Sequence, residues 1–198
     1  MKNVLKTLFG LLLLVVLAIP TLAQEGARWR KNMILIYVPD HEYNSMMTSA
    51  FKEWEGNLKQ KLQFYNYRES KLTNQKDGQT LVDIVVKFDS VKGEEAKNSG
   101  SVSLSQAGSG AIRRAEVTIV LKEDEKLLED EEAKEKNDKE IKTIMLQQVG
   151  KVIGLTTSEN PQSVMYKEVQ ENQQILSEDV EKVFTLYHWP YYRPLKSR

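Results

Sequence analysis

The chain has 198 residues, with 28 Lys and Arg against 28 Asp and Glu, two His and no Cys. A formal charge of zero gives no bulk attraction to nucleic acid or to anionic lipid. The missing cysteines exclude disulfides, thiolate metal sites and thiol nucleophiles, so the fold must hold by side-chain burial alone.

Residues 1–23 read as a secretory signal peptide. Lys2 and Lys6 precede an apolar run from Leu8 to Ala18, and Pro20 with Thr21-Leu22-Ala23 supplies a helix breaker and a small-residue cleavage site. An uncleaved anchor is the competing reading, but the run is short against the roughly 20 apolar residues of a membrane span. Cleavage after Ala23 removes two lysines and no acids, so 26 basic residues face 28 acidic ones, a net charge of −2. The remaining residues, 24–198, suit one domain with a proper core. The expected location is secreted or periplasmic, with no nucleic-acid partner and no membrane attachment after cleavage.

Met33 to Val38 is a continuous apolar run closed by Pro39 and Asp40, which predicts a buried strand. Asn44 or Ser45 can cap a helix running to about Leu62, with Met47, Ala50, Phe51, Trp54 and Leu58 on one face. Phe64 to Tyr67 reads as a second strand, and Leu81 to Phe88 as a third, the most buried in character. Ser99 to Gly110 is rich in Ser and Gly, and its alternation at Val102 and Leu104 predicts an exposed edge strand. Val117 to Leu121, led in by Ala111-Ile112, is a further strand. Residues 122–138 are dominated by charge and read as a solvated linker or a frayed helix rather than an acidic interaction face.

A helix follows over Lys139 to Leu155, with Ile141, Ile144, Met145, Val149, Val152 and Ile153 recurring at three and four. A last helix starts at Ser177, an N-cap residue type, with Glu178 and Asp179 in its first turn and Val180, Val183, Phe184 and Tyr187 facing inward. Residues 189–198 form an aromatic, Pro-rich tail that either docks on the domain or presents an adhesive surface. The predicted class is α/β (α+β): a twisted mixed sheet of about five strands, one of them an edge, with three helices.

Residues 147–166 carry the strongest functional signal. This segment resembles the active-site stretch of the metzincin zinc peptidases, and within them the matrixins: H-E-x-x-H-x-x-G-x-x-H followed by a methionine turn. Gln147 stands at the first His position, Gln148 at the Glu, Lys151 at the second His and Thr157 at the third. Gly154 keeps the glycine, and Ser163-Val164-Met165-Tyr166 keeps the Met-turn. Other pieces resemble the family in the same order: Ala50 to Trp54 its first helix, Val82 to Phe88 its third strand, Gly110 to Ile119 a strand entered by a Gly-x-Ile turn, and Leu176 to Tyr187 its closing helix. The resemblance therefore implies a zincin-like fold with the Met-turn before the last helix, and a single matrixin-like domain over residues 24–198.

The family's chemistry needs three imidazoles on zinc and a glutamate that takes a proton from the zinc-bound water. None of the four residues present fits. Gln147 and Thr157 offer neutral oxygens, poor zinc donors beside imidazole. Lys151 is an ammonium near neutral pH and repels a cation. Gln148 has no titratable proton and cannot serve as the general base. His41 and His188 are the only histidines and neither has an i+4 partner. The acidic segment lacks the ordered loop and turn glycine of a calcium site. These residues imply a lost zinc site, no cofactor and no catalytic residue. The expected function is that of an inactive, peptide- or protein-binding relative, holding an extended peptide along the edge strand. A zinc endopeptidase with an unconventional site, or a structural envelope protein, is the alternative.

Overall fold

The computed structural model describes residues 26–67, 81–93, 95–108, 110–123, 130–170 and 172–190. The expected signal peptide and the tail beyond residue 190 lie outside the described residues. Among these residues six strands and three helices follow in the order β1 (Arg28–Trp29), β2 (Met33–Tyr37), α1 (Asn44–Asn57), β3 (Gln63–Asn66), β4 (Ile84–Val91), β5 (Ser99–Gln106), β6 (Ala111–Lys122), α2 (Glu131–Val152) and α3 (Ser177–Leu186). The strands form one sheet in the order β1-β6-β4-β2-β3, with β5 added to β6. Every pairing is parallel except β5 with β6, which is antiparallel.

Alternation sorts the side chains onto two faces. In register, Ile36 lies beside Ile84, Ile84 beside Ala115 and Ala115 beside Leu104; the next rows are Val86–Val117–Val102 and Phe88–Ile119–Gly100. These rows make the core face. Ile34, Ile36, Ile84, Val86, Val117 and Ile119 are buried there, together with Met47, Phe51 and Trp54 of α1 and Ile144, Met145 and Val149 of α2. The Trp54 indole N–H donates to the Leu146 carbonyl at 2.8 Å and so pins α1 to α2.

Several boundaries differ from the sequence expectation. The two-residue strand β1 adds a sixth strand that no periodicity could reveal. It is fixed from outside itself: Arg28 N–H donates to the Gly110 carbonyl at 3.1 Å, and the Trp29 indole donates to the Val152 carbonyl at 3.0 Å. The third predicted strand starts at Ile84, not Leu81, because Asp83 is used as a connector. Its carboxylate accepts the Leu35 N–H at 2.8 Å and pairs with Lys31 at 2.6 Å, while Leu81 is exposed. β6 is longer than expected, running from Ala111 to Lys122 as the strand against which β5 folds back. α1 stops at Asn57, and Lys59 and Gln60 turn the chain with positive φ.

Of the two readings of the charged segment, residues 131–138 take the helix and not the linker, since α2 begins at Glu131. Asp130 caps it, its carboxylate accepting the N–H groups of Glu132 and Ala133 at 3.0 and 3.1 Å. Glu131 and Glu132 sit at the positive end of the helix dipole, and Glu135 pairs with Lys139 at 2.6 Å. Asn137 is also tied to the sheet, its Oδ1 accepting from Asn98 at 2.7 Å.

Neither Asn44 nor Ser45 caps α1. The cap position is Tyr43, and the Asn44 amide donates backward to the Val38 and Pro39 carbonyls at 3.0 and 2.7 Å. Ser177 does not cap α3 either; the cap position is Leu176, whose N–H is bound by the Asp179 carboxylate at 3.0 Å. α3 closes on His188, with φ at 56°, and Trp189 N–H donates to the Phe184 carbonyl at 2.8 Å. The two rings meet edge to face at 5.6 Å, the hydrophobic contact that accompanies this type of helix end. Trp189 is thereby docked on α3.

Candidate functional site

The last turns of α2 carry Gln147, Gln148 and Lys151. Gln147 and Gln148 are buried, Lys151 is half-buried and Thr157 is exposed. The helix can lie this deep because Gly150 has no side chain: a Cβ there would run into the Met165 sulfur and stand 3.0 Å from the Trp54 ring. Sequence reading passed over Gly150, although a small residue amid an apolar helix face is a recognisable sign of close approach.

A hydrogen-bond chain joins three of these four residues, Gln147, Gln148 and Lys151. The Gln147 amide donates to the Tyr166 carbonyl at 2.5 Å. Its oxygen accepts from the Lys151 ammonium at 3.1 Å and from the Gln148 amide at 3.1 Å. The Tyr166 carbonyl accepts only, so it fixes which end of Gln147 is nitrogen, and Gln147 in turn fixes Gln148. Gln148 Oε1 is left buried with no hydrogen-bond partner among the described residues. Burial holds the Lys151 pKa below the ordinary lysine value. Thr157 takes no part in this chain.

The turn that supplies the Tyr166 carbonyl is itself braced. Tyr166 N–H donates to the Ser163 carbonyl at 3.0 Å, and Ser158 N–H to the Met165 carbonyl at 2.7 Å. The Ser163 hydroxyl accepts the Met165 N–H at 2.9 Å and donates to the fully buried Asp179 carboxylate, whose oxygens lie at 2.9 and 2.8 Å. Asp179 therefore ties this turn to the start of α3. Asp179→Ala leaves the Leu176 N–H and the Ser163 hydroxyl without their acceptor, and is expected to cost about 2–4 kcal/mol. A urea unfolding series checks it; a loss below about 0.5 kcal/mol, the size of an ordinary surface substitution, would show the carboxylate to be dispensable.

The two histidines lie elsewhere. The His41 ring stacks on Phe88, centroids 4.3 Å apart, and its Nδ1 accepts the Tyr43 N–H at 3.2 Å. His188 is exposed at the end of α3. Among the described residues no group of three His, Cys, Asp or Glu is placed to hold a metal ion. A surface groove of about 850 Å³ runs between α1 and α2, lined by Tyr43, Met46, Lys52, Glu53, Asp138 and Lys142 among others. The Tyr43 hydroxyl donates to Asp138 at 3.0 Å, and burial together with that carboxylate pushes its pKa up to about 12. Gln147, Gln148, Lys151 and Thr157 do not line this groove.

A zinc ion does not fit the residues present. The oxygen of Gln147 already faces an ammonium and an amide, and a cation there would meet the charge of Lys151 at short range.

The mixed sheet with one antiparallel edge, and the helix ended by a left-handed glycine with Met165 packed against it, make this a metzincin-like fold. The Matrixin family (peptidase M10) matches residues 30–188, and the chain belongs to that family. Comparison with curated proteins gave no match. Among solved structures, archaemetzincin from Methanopyrus kandleri is similar at 10% identity and a TM-score of 0.41, over 85% of this chain and 99% of that one. No helix among the described residues is long and apolar enough to cross a membrane.

Proposed function

We propose that this chain is an exported matrixin-family domain, residues 24–198, that has given up zinc catalysis and binds an extended peptide or protein segment along β5. The observation that carries the loss of catalysis is the commitment of Gln147. Both ends of its amide are used, the nitrogen to tie α2 to the Tyr166 carbonyl and the oxygen to accept from Lys151 and Gln148 of α2 itself, in the place where the family's first zinc-binding His would stand. In this reading the turn acts as the family's Met-turn, and it supports a binding surface rather than a metal.

The character of β5 supports the binding half. Its only strand partner among the described residues is β6. Its sequence, Ser-Gly-Ser-Val-Ser-Leu-Ser-Gln, holds no charge and no proline, the usual devices that keep an edge from pairing. Ser99, Ser101, Ser103 and Ser105 leave the outer face small, and Val102 and Leu104 face the core side. A strand added to that edge gains main-chain hydrogen bonds without displacing a side chain.

The purified chain, equilibrated with zinc and dialysed, is expected to carry far less than one zinc per molecule and to cleave neither casein nor gelatin. Elemental analysis and a chelator-controlled cleavage assay measure both. Stoichiometric zinc together with chelator-sensitive cleavage would overturn the reading.

A further inference from the structure

At the end of α2 a positive charge stands without a counter-ion among the described residues. Lys151 is half-buried, and among the described residues its one partner is the neutral Gln147 oxygen at 3.1 Å. An ammonium has three N–H donors, so two remain for an acceptor from outside. The Gln147 oxygen cannot turn away, because its amide nitrogen is held by the Tyr166 carbonyl. The position of Lys151 in the last turn of α2 suits the helix dipole, but the dipole supplies no further acceptor for these N–H groups.

The same cluster touches the edge strand. Gly100 of β5 lies against Gln148: a Cβ on Gly100 would stand 2.7 Å from Gln148 Cγ and 2.9 Å from its Cδ. Gln148 is hydrogen-bonded to Gln147, and Gln147 to Lys151. β5 and the ammonium are thus joined through two side chains, Gln148 and Gln147.

We propose that Lys151 anchors a carboxylate of the peptide laid along β5, so that the place where the family binds a metal cation is here a site for an anion, its positive charge built into the chain. The proposal rests on the peptide-binding reading above and deepens it by naming the group recognised. The carboxylate comes either from a free C-terminus or from an acidic side chain. A charge-assisted hydrogen bond to either is the stronger kind, and a half-buried ammonium strengthens it further.

Three N-acetylated pentapeptides of alternating Val and Ser test this: one with a free C-terminal carboxylate, one amidated, and one amidated with a central Asp. Binding to the purified chain is followed by backbone amide shifts at Gly100 to Leu104 and by the Lys151 side-chain nitrogen resonance. A carboxylate-bearing peptide is expected to bind at least about tenfold more tightly than the neutral amide. The preference should vanish in Lys151→Met and persist in Lys151→Arg, both checked for native amide dispersion. Whichever acidic peptide binds identifies the source of the carboxylate. Equal binding of all three peptides would overturn the anchor while leaving edge binding intact. Binding of none would overturn both, and a preference that survives Lys151→Met would overturn the role of this lysine.

Discussion

Substituting Gln147→His, Gln148→Glu, Lys151→His and Thr157→His together is expected to produce a chain that takes up stoichiometric zinc, where the unaltered chain takes up none. The scaffold parts that position such residues are present. α2 ends at a left-handed Gly154, and Met165 is seated against Gly150. The changes replace a repelling ammonium and two weak neutral donors by imidazoles, which suit zinc. An affinity gain of at least about three orders of magnitude corresponds to roughly 4 kcal/mol. At a zinc concentration near 1,000 times the dissociation constant, the folded state should gain about 4 kcal/mol of apparent stability. Titration calorimetry and thermal unfolding with and without zinc measure the two effects. The metal-free variant should be weaker than the original chain, because Gln147 no longer holds the Tyr166 carbonyl. A folded variant that stays free of zinc would show that these positions do not converge as they do in the family.

The parts of this fold that were legible in the sequence are those that bury a periodic face. The face of α1 from Met47 to Trp54 and the apolar half of α2 are stated by their own spacing and are buried as expected, while the apolar run of β2 buries Ile34 and Ile36 and leaves Met33 exposed. The first two turns of α2 were hidden because residues 131–138 have no apolar face to read. Their signal is the Asp130 cap and the helix-favouring Glu and Lys, a summed propensity rather than a period. β1 was hidden for another reason: two residues carry no period, and Arg28 and Trp29 are held by groups more than 80 residues away.

For the candidate site, the identities of Gln147, Gln148, Lys151 and Thr157 could be read directly. Their arrangement could not. The link from Gln147 to Tyr166 exists only because a turn 19 residues later folds back over α2, and that return depends on Ser163 meeting Asp179. A pairwise motif records which residues stand in line and not which carbonyl comes to meet them. Thr157 shows the limit from the other side: the spacing places it with the others, and the structure leaves it exposed and outside their hydrogen-bond chain.

Gly154→Ala is expected to be among the most destabilising single changes in the chain, at about 3 kcal/mol or more. Two costs add at this position. Gly154 has φ at +100°, a conformation that L side chains rarely adopt, and it ends α2 with its own N–H on the Lys151 carbonyl at 3.0 Å and the Leu155 N–H on the Gly150 carbonyl at 3.0 Å. A Cβ there would also run into the Ala27 carbonyl oxygen and stand 2.8 Å from Leu186 Cδ2. Ala27 leads into β1, which is fastened to α2 through the Trp29 indole and to the end of α3 by the Arg28 guanidinium on the Leu186 carbonyl. Relief of the clash therefore requires the N-terminal strand to leave both helix ends. Asparagine separates the two costs, since it tolerates positive φ better than alanine but is bulkier. If backbone conformation dominated, Gly154→Asn would be the milder change in a urea series. The close approach of Ala27 predicts the opposite, with asparagine at least as damaging as alanine. The loss should be accompanied by early hydrogen exchange at Arg28, whose N–H holds β1 to Gly110.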